Sequence, residues 1–365
     1  MSTNPFKFGT VVEEPFFTDR EKETEEILSI LGSENHLILT GPRRYGKTSL
    51  VRRACSMTGR PVIYLDLQVI TGKEDFAAQL LKRVYRMHPV EKLKKYLTSF
   101  RLIPALILNP VTGEVDVRFH PEPSGFVSLE DVFDLLQKIS TKKEKLVVVL
   151  DEFQEIKRIH PELDRNLRAI MQLQVNINYI FLGSRESLIR EIFEKKKSPF
   201  YHFGYLMQLD KIPSEAFTGF LEQGFRKMSN QYKSISARIL EQTRMHPYYT
   251  QQLAFTVWEM LARSGYSEDI VLLAGEEIIR NHDNDFERLW NTLNRTDMKI
   301  LIGMADCELS PLSEEFSRRY NSGPSSTVFS SLKRLTQSGI LIRSVNGYNL
   351  DDPFFKQWIM LKRAS

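Results

Sequence analysis

The chain has 365 residues, 42% of them hydrophobic and 26% charged, which is the make-up of ordinary globular protein with apolar material for about two to three domains. A formal charge of +4 permits contact with nucleic acid or an acidic membrane face and argues for neither. The two cysteines, Cys55 and Cys307, lie far apart without metal-ligand spacing and exclude a disulfide framework or a zinc site. Residues 1–9 lack an apolar signal core, and no run approaches the ~18 apolar residues of a membrane helix, so a cytoplasmic protein with no membrane partner is expected.

Taken in order, the stretch Phe17 to Leu31 predicts a helix, with Thr18 or Asp19 as its cap, acidic residues in the first turn and an apolar face of Ile27, Leu28, Ile30 and Leu31. A solvated helix packed on one side and a role at a nucleotide's base or ribose are both open for it. His36 to Thr40 then forms a short apolar strand. Gly41 and Gly46 bracket Pro42, Arg43, Arg44 and Tyr45, and Lys47, Thr48 and Ser49 open a helix. This is the G-x-x-x-x-G-K-[ST] pattern in the strand-then-helix context that confirms it. Loop N–H groups and the helix N-terminus would surround a polyphosphate, Lys47 would meet its β- and γ-phosphates, and Thr48 would hold Mg²⁺. Residues Gly41 to Ser49 are therefore candidate cofactor-binding positions, with ATP and Mg²⁺ as the cofactors.

Pro61 to Asp66 reads as a second buried strand and Lys73 to Met87 as a helix with Phe76, Leu80, Leu81 and Val84 on one face. Leu102 to Leu108 and Val115 to Phe119, flanking Asn109 to Glu114, predict a β-hairpin excursion on the surface, either a partner site or a variable loop. Lys145 to Glu155 carries the second strong signal. Apolar residues run into Asp151 and Glu152, so both carboxylates emerge at the C-terminal end of a buried parallel strand, where ligands bind in open α/β sheets. Asp151 suits a role at Mg²⁺, direct or one ligand removed, and Glu152 suits polarisation of an attacking water. A further strand, Asn176 to Arg185, ends in Ser184, a candidate γ-phosphate sensor that also suits a helix N-cap.

These residues resemble the archaeal-type ATPases, a family within the STAND/AAA-like P-loop ATPases that is also common in bacteria. The resemblance rests on Phe17-Thr18-Asp19-Arg20-Glu21, Gly41 to Thr48, Leu150 to Gln154, Gly183-Ser184 with Ser198-Pro199-Phe200-Tyr201, and His246-Pro247-Tyr248-Tyr249. It implies an α/β fold, a P-loop NTPase parallel sheet with helices on both faces, followed by an all-helical lid and a winged-helix domain. The expected boundaries are 1–210, 211–285 and 286–365. It also implies that His246 approaches the nucleotide phosphates. Relatives usually have glycine where this chain has Met245, so a different local backbone is expected there. Relatives commonly follow Ser-Pro-Leu-Tyr with Gly-Arg, whereas Tyr201 here precedes His202-Phe203. Any arginine finger then comes from elsewhere, Arg185 and Arg190 being the candidates.

Beyond Leu209 the pattern turns helical. Pro213 to Phe217 opens one helix, Ser236 to Thr243 forms a second, and Tyr248 to Arg263 a third. Helices at Asp297 to Asp306, Ser313 to Tyr320 and Ser325 to Leu335, then a hairpin through Asn346-Gly347, predict the winged helix. Its third helix offers Ser325, Ser326, Lys333 and Arg334 to a major groove, but the charge there is sparse, which leans towards a protein or intramolecular partner. Two functional classes emerge: an ATPase that drives work on a nucleic-acid or protein partner, and a slow switch set by ATP or ADP. A nucleotide-dependent oligomer is consistent with both.

Overall fold

The structure, a computed structural model, describes residues 3–364 apart from 14–15, 89–92, 94–95, 97, 99, 102–103, 109–114, 120–126, 308 and 345–346. The expected turns at Asn109 to Glu114 and at Asn346 lie outside the described residues. The chain divides into two compact units, one of residues 20–41 and 47–209, the other of the described residues of 1–19, 42–46 and 210–364.

In the first unit five strands form a parallel sheet: β1 (Leu37–Thr40), β2 (Val62–Asp66), β5 (Leu146–Asp151), β6 (Ile177–Gly183) and β7 (Tyr205–Gln208), in the order β2-β5-β6-β1-β7. Every residue of β6 is buried, and so are the five apolar residues of β5, as continuous apolar runs require when helices cover both faces of a sheet. The helices include α1 (Glu21–Gly32), α2 (Lys47–Thr58), α3 (Lys73–Met87), α4 (Val127–Ile139), the short α5 (Ile156–Ile159), α6 (Leu163–Met171) and α7 (Glu186–Glu194). The excursion is an antiparallel pair, β3 (Ala105–Leu108) with β4 (Val115–Arg118), joined in register Ala105 to Arg118.

Polar ties fix the sheet where the apolar runs alone would let it slip. Arg60 donates to the carbonyls of Leu31, Lys145 and Leu146 and to Asn178 Oδ1. Asn178 in turn donates to the carbonyls of Ser33 and Asn35, so one guanidinium and one amide gather the beginnings of three strands. Below the acidic pair, Phe153 is fully buried, with its ring centroid 4.6 Å from Phe181 and 5.3 Å from Phe200. That aromatic packing, worth about 0.5–1.5 kcal/mol per pair beyond area burial, anchors the backbone one residue past Glu152.

The start of α1 differs from expectation. Neither Thr18 nor Asp19 caps it. Arg20 is the N-cap residue, in the left-handed region at φ 76° and without a side-chain cap bond, and its guanidinium bonds Glu23 at 2.6 Å. Asp19 is itself at φ 58°, a turn that carries its side chain out of the capping position.

The second unit has one continuous apolar core. Helices α8 (Ser214–Phe225), α9 (Tyr232–Thr243), α10 (Pro247–Ser264), α11 (Ile270–Asn281) and α12 (Asp283–Asn291) lead into α13 (Arg295–Asp306), α14 (Glu314–Tyr320), α15 (Ser325–Gln337), the antiparallel pair β8 (Leu341–Ser344) and β9 (Gly347–Leu350), and α16 (Pro353–Lys362). The last group is the three-helix-and-hairpin arrangement read from the sequence. The N-terminal segment belongs to this core: Phe6 is 2% exposed, its ring centroid 4.7 Å from that of Phe225. Asn4 ties the segment to Phe255 O and Glu259.

Candidate functional site

The glycine-bounded loop follows β1. Gly41 lies so close to the chain beyond β7 that a Cβ there would fall 2.7 Å from Leu209 O, and Gly46 has φ 89°. Neither position accepts a side chain without strain. Lys47 begins α2, is 7% exposed and donates from Nζ to Gly41 O at 2.7 Å. Its ammonium is thereby turned back to the residue that follows β1.

At the C-terminal ends of β1 and β5 the structure brings together Thr48 and Asp151, with Thr48 Oγ1 donating to Asp151 Oδ2 at 3.2 Å. The same oxygen accepts from Tyr64 OH at 2.7 Å, and Asp151 Oδ1 accepts from Glu152 N at 2.9 Å. The oxygen donors of Thr48 and Asp151, one of them anionic, suit a hard divalent cation such as Mg²⁺. Burial, followed by the charge of Asp151, pushes the Tyr64 phenol up, so its proton stays in place as a donor.

Glu152 is at φ 52°, a strained conformation for a residue other than glycine, and it turns the carboxylate towards β6. There Ser184 Oγ donates to Glu152 Oε2 at 2.8 Å, and Gln154 Nε2 donates to the same oxygen. The next helix is not capped by Ser184: the N-cap residue of α7 is Arg185, with no side-chain bond. Gly183 must be glycine for packing, since a Cβ would lie 2.2 Å from Ile189 Cγ1 and 2.7 Å from Gln154 Oε1. Of the two candidate arginine fingers, Arg185 lies 3.6 Å from Glu155, and Arg190 is held by Glu186 and Glu194 at 2.9 Å each.

Residues 42–46 cluster with the C-terminal unit. Within it Arg44, at φ 65°, donates to Tyr249 OH at 2.9 Å and stacks 4.6 Å over the Tyr248 ring. Tyr45 meets His246 edge to face, with ring centroids 5.0 Å apart. His246 caps α10 through Nδ1, which accepts from Tyr248 N at 3.3 Å, and its Nε2 faces Asp351 Oδ1 at 3.4 Å. The ring is 2% exposed. Met245 has φ 57°, so the departure from glycine leaves the backbone in the left-handed region that glycine favours. Beyond His246, the Asp352 carboxylate lies near the Tyr249 phenol, and its Oδ1 caps α16 by accepting from Phe354 N and Phe355 N.

Sequence reasoning missed Tyr64, Gln154, Tyr249 and Asp352. Tyr64 left a faint signal, a phenol two residues before the end of a buried strand. Tyr249 depends on a partner distant in the chain, and Gln154 and Asp352, though their partners are local, carry no pattern that sets them apart.

An ATPase domain found predominantly in Archaea matches residues 17–253, and a probable winged helix domain matches residues 284–361. No curated protein matches the chain. Among solved structures, a Walker-type ATPase of Pyrococcus abyssi is similar at 19% identity and a TM-score of 0.68, over 98% of this chain and 99% of that one. The ADP form of the Aeropyrum pernix ORC2 protein is similar at 17% identity and a TM-score of 0.52, over 99% and 100%. The Aeropyrum pernix ORC1 protein in complex with DNA is similar at 14% identity and a TM-score of 0.51, over 99% and 98%. At these identities the likeness fixes the fold.

Proposed function

We propose, since the chain belongs to the family of ATPase domains found predominantly in Archaea, that it binds ATP with Mg²⁺, hydrolyses it, and passes the nucleotide's state to its C-terminal helices. The observation that carries this reading is a set of hydrogen bonds that joins Thr48, at the start of α2, to Asp151 at the end of β5, and Glu152 to Ser184, just past the end of the neighbouring strand β6. In it Lys47 and the loop from Gly41 to Ser49 hold the phosphates, with Thr48 and Asp151 on the metal side. The cation, when bound, neutralises phosphate charge. Glu152 accepts a proton from the attacking water as its oxygen bonds the γ-phosphorus and the bond to the β–γ bridging oxygen breaks. Ser184 and Gln154 hold the Glu152 carboxylate, so Ser184 acts through Glu152 as well as on the γ-phosphate.

The test pairs two variants. Lys47→Ala is expected to lose Mg-ATP binding while staying folded, because Lys47 neutralises phosphate and fills no core. Glu152→Gln is expected to bind ATP yet hydrolyse it at least ~10²-fold more slowly, the scale of a lost general base. Wild-type affinity in the first or wild-type turnover in the second overturns the corresponding assignment.

A second reading, a slow switch, is favoured by the contacts of Arg44 with Tyr249 and of Tyr45 with His246. In it the loop's own side chains carry the difference between ATP and ADP to α10, and turnover waits for a partner. As the resemblance implies, His246 would then report phosphate state through Tyr45 and Pro247. Steady-state rates with and without DNA, read beside molecular mass in ATP and ADP, separate the two readings and detect any nucleotide-dependent oligomer.

For the winged helix, DNA and a protein partner both stay in view. The exposed face of α15 carries Ser325, Ser326, Thr327, Phe329, Ser330 and Lys333. Arg334 is drawn to the buried Asp297, with Nη2 at 2.6 Å and Nε at 3.0 Å. Little positive charge remains for phosphate, and Phe329 is 53% exposed, which favours protein over DNA on this face.

A further inference from the structure

We propose that Tyr64 competes with a hydrated divalent cation for Asp151 and so sets the Mg²⁺ concentration at which nucleotide is held together with its metal. The proposal rests on the Mg-nucleotide reading above.

Each carboxylate oxygen offers two lone-pair directions. Asp151 Oδ2 already accepts from Thr48 Oγ1 at 3.2 Å and from Tyr64 OH at 2.7 Å, while Oδ1 accepts from Glu152 N at 2.9 Å. Of the two hydroxyls on Oδ2, Tyr64 makes the shorter contact. A Thr hydroxyl that ligates a cation through a lone pair still donates its proton, so the Thr48 bond is compatible with metal. A cation-bound water that donates to Oδ2 needs the direction Tyr64 uses.

The phenol is held in place from several sides. Its strand pairs Tyr64 with Val149 of β5, the Arg83 guanidinium bonds the Tyr64 carbonyl, and the Arg52 guanidinium lies 5.1 Å from the ring centroid. Neither the strand nor the ring can drift aside without losing one of these. Tyr64→Phe keeps strand, ring and Arg52 contact and removes the competing donor alone.

The experiment titrates MgCl₂ into metal-stripped wild-type and Tyr64→Phe protein, each with the fluorescent probe N-methylanthraniloyl-ADP. Because a hydrogen bond to a charged group is strong, the Mg²⁺ concentration at half-saturation should fall about tenfold in the variant. Probe affinity without Mg²⁺ should stay within about twofold, a split that a merely structural role would not produce. Tyr64→Leu, which also lacks the hydroxyl, should move the same way and carries the test if the first variant misfolds. An unchanged or raised Mg²⁺ requirement overturns the proposal. Failure of the wild type to bind the probe with or without Mg²⁺ would instead overturn the nucleotide reading on which it stands.

Discussion

Tyr249→Phe tests whether the chain of contacts from Arg44 to α16 stabilises the C-terminal unit. The hydroxyl accepts from Arg44 at 2.9 Å and lies near the Asp352 carboxylate, in a side chain only 5% exposed. Arg44 is charged, and a hydrogen bond to a charged group contributes about 1.5–3 kcal/mol. Arg44 keeps its place over the Tyr248 ring, and Asp352 keeps the amides of Phe354 and Phe355. The loss should therefore be about 2 kcal/mol. Trp258, Trp290 and Trp358 are the chain's three tryptophans, and all lie in this unit, so fluorescence-detected urea unfolding reports on it selectively. The loss should also depend on pH. Burial pushes the Asp352 carboxyl above its ordinary value, while nearby Tyr249, the two amides and Arg44 pull it down. A folded-state pKa above the unfolded one means the folded protein binds the proton more tightly, so this group's contribution declines as pH rises through that window. Removing the Tyr249 hydroxyl raises the carboxyl further. The variant's deficit should thus grow above the ordinary carboxylate range and shrink on acidification. A loss below about 0.5 kcal/mol, the scale of a neutral surface change, or a deficit that grows as pH falls, would refute the reasoning.

Arg334→Ala should destabilise the same unit by about 2 kcal/mol, because Asp297 would be left buried without its cation, whereas Lys333→Ala on the exposed face should stay within about 0.5 kcal/mol. Lys333→Ala is therefore the cleaner probe of DNA binding, and equal midpoints for the two variants would refute the assignment of Arg334 to Asp297. In the first unit, burial followed by Arg168 lowers the His36 pKa from 6.5 to about 4. With the unfolded state binding the proton more tightly, stability should be complete above pH 6.5 and fall as pH drops towards 4, by at most about 3 kcal/mol. His36→Asn should flatten that slope in circular-dichroism melts, and an unchanged slope would place it on other groups.

The sheet was legible because its central strands are long apolar runs, and burial on both faces leaves no other use for Leu146 to Leu150 or Ile177 to Leu182. The meeting of Thr48 and Asp151 was legible for a topological reason: Thr48 opens the helix that follows the loop beyond β1, Asp151 ends β5, and the C-terminal ends of parallel strands share one edge of the sheet. β7 gives no comparable signal. It is a four-residue edge strand with two exposed positions, too short for alternation to declare itself, and it is recruited by pairing with β1 in register Leu37 to Tyr205. Phe6 is silent for a similar reason, since a single aromatic in an irregular segment has no period.

What escaped at the site was the set of hydrogen-bond partners. Tyr64 reaches Asp151 across 87 residues and Arg44 reaches Tyr249 across 205. Separations of that kind carry no spacing rule, unlike the capping of α16 by Asp352, which is local. Residue type misled in the other direction at Met245. Its replacement of a family glycine suggested an altered backbone, yet Arg244 and Met245 are both left-handed, at φ 51° and 57°. The cause is the neighbouring helix: His246 must cap α10, and Met245 packs against the core. Holding two such residues costs about 1–2 kcal/mol each, which the burial of His246, Pro247 and Tyr249 behind them can offset. At this turn the packing of α10 dictates the backbone, and the side chain is tolerated rather than chosen for its conformational preference.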